Sequence, residues 1–141
     1  MAEIKGYCKE HDLKFDKDLL FGKIGEKLAN DIFEGNLTAE VKTERDIWVT
    51  TGNNVCIEFK SRGKPSGIAT TKSEIWIHWL SVNGKIRGGY IFKVKQLKEY
   101  LRKNFHRLER NGKVKVGGDD NTSDIILLDK NEINEIYRME E

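Results

Sequence analysis

Apolar residues recur every four positions at Leu20, Ile24, Leu28 and Ile32, which is a helical period. Asp16 or Asp18 can cap the start and Gly35 supplies a stop, so the spacing predicts a helix from about Asp18 to Glu34 with that stripe buried. Glu26 lies off the centre of the stripe but within reach of the surface the helix packs on. The pattern then changes to a two-residue alternation. In LTAEVKTERDIWVT, residues 37–50, the side chains of Ala39, Val41, Thr43, Ile47 and Val49 fall on one side. Glu40, Lys42, Glu44, Asp46 and Trp48 fall on the other. TGN makes a turn, and NVCIEFKS returns with Val55, Ile57 and Phe59 facing one way. A three-residue loop of Thr51, Gly52 and Asn53 matches the two apolar sides, pairs Thr50 with Asn54, and sets Asp46 opposite Glu58.

Further along, the loop SRGKPSGIATTKS leads into a strong strand, EIWIHWLSV, then an NGK turn and the strand GGYIFKV. A helix from about Lys95 to Asn104 turns Leu97, Tyr100 and Leu101 inward. GGDDNTS is a loop, DIILLD a last strand and NEINEIYRM a short amphipathic end. The expected fold class is α/β of the α+β kind, a central mixed sheet flanked by helices, in one domain spanning residues 1–141. Trp76 and Trp79 read as core or edge aromatics, and His78 between them as structural.

Charge changes this picture more than length does. Residues 85–116 hold eleven basic and two acidic side chains, net +9, whereas residues 117–141 are net −6 and residues 1–84 net −1. A basic block of that density suits a polyanion, and Lys95, Lys98, Arg102, Lys103 and Arg107 are its candidate contacts. No apolar run reaches membrane-spanning length and the first residues lack a signal-peptide pattern, so the expectation is a cytoplasmic protein with no membrane partner. Cys8 and Cys56 are too few for a disulfide framework, and three scattered histidines give no zinc spacing.

The candidate chemistry lies in Glu-x-Lys pairs on strands. Glu58 and Lys60 form one pair, with Asp46 facing Glu58 across the expected hairpin; Glu40 and Lys42 form another. Converging carboxylates make a hard-oxygen site suited to Mg²⁺ or Mn²⁺, which can polarise a scissile phosphate and activate water. A lysine two residues away on the strand shares the face and can stabilise transition-state charge. Glu26 on the helix is a further candidate ligand. One straight strand would hold Glu40 and Asp46 about 20 Å apart, so the two pairs do not readily share a site.

The order of a glutamate-bearing helix, strands with an acid, and Glu-x-Lys between apolar residues resembles the PD-(D/E)XK nuclease superfamily. TGNNVCIEFKSRGKPSGIATTKSEIWIHW is similar to small phage-encoded members, in which a TGN turn, an IE strand and a PSGI-then-Thr segment recur together. The likeness covers roughly residues 20–105. It implies a restriction-endonuclease-like core containing a three-stranded antiparallel meander, and an Mg²⁺- or Mn²⁺-dependent endonuclease acting on DNA, in which the basic block grips the backbone. It also brings the expectation of a homodimer, since small nucleases of this kind often pair to cut both strands. In the phage-like members an EVK stretch precedes the TGN turn, which implies Glu40 and Lys42 as the motif; strand pairing argues for Asp46, Glu58 and Lys60. Both assignments stand at this level, and Glu58 belongs to each.

Overall fold

The computed structural model describes residues 9–45, 54–117 and 119–140, with side chains for all of these except 9–15 and 119. The chain divides into two compact units, residues 1–37 and 38–141.

The first unit is built on α1 (Lys9–Phe33), longer at its start than the sequence pattern suggests. Its end is as expected: Gly35 adopts φ +79°, and the Asn36 and Leu37 amides return to the Asp31 carbonyl. Along the expected stripe, exposure decreases toward the end of the helix. Leu20 and Ile24 are 59% and 56% exposed, and Leu28 is exposed as well. Ile32, the last residue of the stripe, is half-buried.

The second unit holds β1 (Ala39–Glu44), β2 (Val55–Ser61), β3 (Lys64–Pro65), β4 (Ile75–Val82), β5 (Lys85–Lys93), α2 (Val94–Arg110), β6 (Val114–Gly117), β7 (Ser123–Leu128) and α3 (Lys130–Arg138). Two sheets form, ordered β1-β4-β5 and β3-β2-β7-β6. The first is mixed: β1 runs parallel to β4, and β4 antiparallel to β5. The α+β class with a mixed sheet and flanking helices is therefore as expected.

The strand pairing differs from the hairpin reading. Among the described residues β1 pairs with β4, and β2 pairs with β3 and β7, so β1 and β2 belong to different sheets. Asp46, Ile47, Val49 and the TGN turn lie outside the described residues, and the proposed Asp46–Glu58 register with them. Opposite Glu58 on β7 stands Ile125. Alternation fixes which side chains share a face but is indifferent to which strand lies alongside. The amides of Glu74 and Ile75 instead bond the Thr38 carbonyl and start β4 beside β1.

Helix α2 carries Val94, Leu97, Leu101 and Leu108 at helical spacing, and all are buried. They pack with Ile57 and Val55 of β2, Ile126 and Leu128 of β7, Trp76, Phe92, and Ile133 and Ile136 of α3 in one core cluster. Each such aliphatic side chain stabilises the fold by about 1.5–3 kcal/mol. Gly112 at φ +70° ends α2, and the Lys113 amide donates back to the Leu108 carbonyl at 2.9 Å. Asp129 caps α3 by accepting from the Glu132 amide at 2.9 Å. Glu132 in turn accepts from Arg107 Nη1 and Nη2, at 2.7 and 2.9 Å, and from the Tyr100 hydroxyl, which ties α3 to α2.

Candidate active-site cleft

On β1, alternation puts Glu40, Lys42 and Glu44 on one face, and the parallel register sets Lys42 beside His78 and Glu40 beside Trp76. Glu44 is 5% exposed and His78 2% exposed, so both need hydrogen-bond partners. They find them in each other: His78 Nε2 lies 2.7 Å from Glu44 Oε1, and the Trp76 indole N–H donates to His78 Nδ1 at 3.1 Å. Indole nitrogen can only donate, so Nδ1 accepts and Nε2 carries the hydrogen given to Glu44. The imidazole thus serves as a fixed donor, with neither ring nitrogen left to take a substrate proton. The Cys56 amide donates to the same Glu44 oxygen at 2.5 Å, joining the two sheets. Burial, then the neighbouring Glu44 carboxylate, push the Cys56 thiol up to about 12, which leaves it protonated and a poor nucleophile at neutral pH.

Glu58 is held differently. The Ser66 hydroxyl donates to its Oε2 at 3.0 Å and the Ser123 hydroxyl to its Oε1 at 2.5 Å. Ser66 belongs to the KPSG segment folded against the β2 edge, and Ser123 to the neighbouring strand β7. A β-bulge between Glu58 and Lys60 corrects one expectation: Glu58 pairs with Ile125 but Lys60 with the adjacent Asp124. The extra residue breaks the two-residue alternation, so Lys60 lies level with Asp124, whose face is opposite to that of Ile125. Lys60 is exposed and does not share the Glu58 side.

These groups meet in a cleft of ≈ 550 Å³, lined on one wall by Lys42, Glu44 and His78 and on the other by Glu58, Ile125 and Lys115. Lys42 Nζ is 3.0 Å from Glu40 Oε1 and 5.9 Å from the Trp76 ring centroid, so the ammonium is paired with Glu40 and lies over the indole. Lys42 and Glu58, read from sequence as members of rival motifs, therefore belong to one site. Glu40 is the salt-bridge partner of Lys42. Asp46 lies outside the described residues, and Glu26 is an exposed residue of α1, in the other unit.

The basic candidates sit on α2, away from this face of the sheet. Leu101 and Phe105 of α2 gather with Phe59, Ile68 and Ile126, on the side of β2 and β7 opposite to Glu58 and Ile125. Lys95, Arg102 and Lys103 are exposed, while Lys98 donates to the Thr71 carbonyl at 2.8 Å. Arg107 is committed to Glu132, and their pairing holds the Glu132 carboxyl below the usual carboxylate range. Of the basic block, Lys115 on β6 is a residue that lines the cleft.

Sequence reasoning expected a structural His78, as found, but passed over Glu44 and Ser123 as cleft residues and Glu44 as the partner of His78. Glu44 simply continues the Glu40–Lys42 alternation, and Trp76 and His78 alternate onto one face; what was missing was the parallel pairing that brings the two faces together. Glu44 and Glu58 are the two carboxylates that line this cleft among the described residues. Among the described residues, no three His, Cys, Asp or Glu side chains converge as a fuller ligand cluster. Comparison of the chain with family models, with curated proteins and with solved structures finds no match. Among the described residues, no helix is long and apolar enough to cross a membrane.

Proposed function

We propose that the protein is a divalent-cation-dependent endonuclease that hydrolyses phosphodiester bonds in DNA. The observation that carries this reading is the convergence of Lys42, Glu44 and Glu58, from two different sheets, on one cleft also lined by Lys115. Glu44 and Glu58 are the residues that would hold Mg²⁺ or Mn²⁺. Such an ion, when bound, supplies polarisation of the phosphoryl oxygen and a more acidic water. Lys42 offsets negative charge developing on the phosphorus oxygens. Lys115 draws the phosphate into the cleft, and the exposed lysines and arginine of α2 add sequence-independent attraction for the backbone. This reading keeps the likeness to PD-(D/E)XK nucleases as a proposal, with Lys42 in the lysine role. A homodimer, in which two clefts serve two strands, and an intracellular setting go with it.

The test is incubation with duplex, branched and single-stranded DNA in Mg²⁺ or Mn²⁺. Metal-stimulated cleavage that disappears in Glu58→Ala and Lys42→Ala is the expected result. Identical behaviour of wild type and Glu58→Ala, or no cleavage of any form, defeats the reading. A second reading, a nucleic-acid-binding module without catalysis, draws on the hydroxyl donors that already occupy both Glu58 oxygens. Salt-dependent DNA binding with no metal-stimulated cleavage would favour it.

A further inference from the structure

We propose that Ser66 and Ser123 are positioning residues for Glu58, and that the KPSGI segment exists in this fold to bring Ser66 to that carboxylate. The inference rests on the reading of Glu58 as a working group of the cleft. Three independent features of the geometry meet on this one side chain. Each carboxylate oxygen receives its own hydroxyl, Oε2 from Ser66 at 3.0 Å and Oε1 from Ser123 at 2.5 Å. Hydrogen bonds to an ionised acceptor are short and strong, and one on each oxygen fixes the rotation of the carboxylate plane. Each oxygen keeps a second lone pair for a cleft partner.

The second feature is the backbone beneath. Gly67 sits at φ +51°, and a Cβ there would stand 2.2 Å from the Glu58 carbonyl oxygen. Only a residue without a side chain lets the segment lie this close to β2. The third is how the segment is pinned on both sides of Ser66. Pro65 pairs with Lys60, the Ser66 amide donates to the Phe59 carbonyl at 3.0 Å, and Ile68 is buried in the core. Lys-Pro-Ser-Gly-Ile is thus one device: a strand pair, a hydroxyl, a close approach and an apolar anchor.

The experiment compares wild type with Ser66→Ala, Ser66→Thr, Ser123→Ala and Gly67→Ala, with melting followed for each. Ser66 has extended backbone, φ −154° and ψ 179°, which a β-branched residue adopts freely, so Ser66→Thr restores the hydroxyl in place. In the free protein, ¹³C relaxation of the Glu58 side chain should show restricted motion in wild type and Ser66→Thr, and larger-amplitude motion in Ser66→Ala and Ser123→Ala. In cleavage, Ser66→Ala should lower kcat by about tenfold with KM for DNA within about twofold, because the carboxylate is misplaced while DNA binding is not. Gly67→Ala should show the same loss of Glu58 order. Equal Glu58 mobility in wild type and Ser66→Ala overturns the proposal, as does a kcat loss that Ser66→Thr fails to rescue. Should wild type cut no DNA, the function assigned to the cleft falls, and the relaxation measurement alone decides whether the clamp exists.

Discussion

The two faces of strand β2 do opposite work. Val55 and Ile57 point into the core with Ile126, Leu128 and the apolar side of α2, and Ile57 is wholly buried. Cys56 and Glu58, their immediate neighbours, line the cleft shared with Lys42, Glu44 and Lys115. On the covered face, stability comes from apolar area and is spread over many residues. On the cleft face, order comes from a few directed hydrogen bonds, each replaceable by nothing nearby. A substitution on the cleft face can therefore alter the site at little cost in stability, and one on the covered face can cost stability while each folded molecule keeps its site.

The sharpest way to break this division is to remove Glu58. Glu58→Ala should lower single-turnover cleavage by about a thousandfold or more, near 4 kcal/mol of activation free energy, while urea denaturation shifts by no more than about 1 kcal/mol. A collapse of stability instead would mean that Glu58 belongs to the framework. The mirror experiment is Ile57→Ala on the other face, expected to cost about 2–5 kcal/mol of unfolding free energy. Cleavage per folded molecule should be unchanged, and a loss of activity at full folding would show that the faces are coupled.

A smaller effect tests what holds the cover in place. Glu132→Gln removes the anion that joins Arg107 and Tyr100 and should cost about 2 kcal/mol. Pairing with Arg107, the leading cause, lowers the folded-state pKa of Glu132 below its ordinary value of 4.5. Its stabilisation is accordingly present above that value and is lost as pH falls through the lower, folded one. Tyr100 runs the other way: burial, then Glu132, raise it from 10.0 to about 12, so its contribution is full below 10.0 and fades as pH climbs toward about 12. Melting across pH should show Glu132→Gln with a flatter acid limb than wild type. The mildest change, Lys95→Glu with Arg102→Glu on the outer side of α2, should alter stability by less than about 0.5 kcal/mol. The dependence of DNA affinity on salt should nevertheless become shallower by about two in log–log slope.

Much of the second unit is legible in the chain. The strands at Val55–Ser61, Ile75–Val82 and Ser123–Leu128, the inward side of α2 and the short terminal helix all follow from period and caps. Two other signals misled. Matching apolar sides suggested a hairpin for segments that, among the described residues, sit in separate sheets. Lys60 was read as a partner of Glu58 because strict alternation was assumed, and a bulge at Phe59 is invisible to alternation.

By itself, then, the sequence determined local geometry: which side chains share a face of an unbulged strand, where α1 stops, and that SRGKPSGIATTKS is a loop leading into a strand. Those properties depend on residues a few positions apart, whose covalent spacing sets their directions. Only the tertiary structure decided that Lys42, Glu44 and Glu58 share a cleft, that His78 serves as a donor to Glu44, and that Ser123 steadies a glutamate 65 positions earlier. Such meetings depend on which strands lie side by side. That choice is made by the burial of the whole core, a sum over distant residues that no local pattern contains.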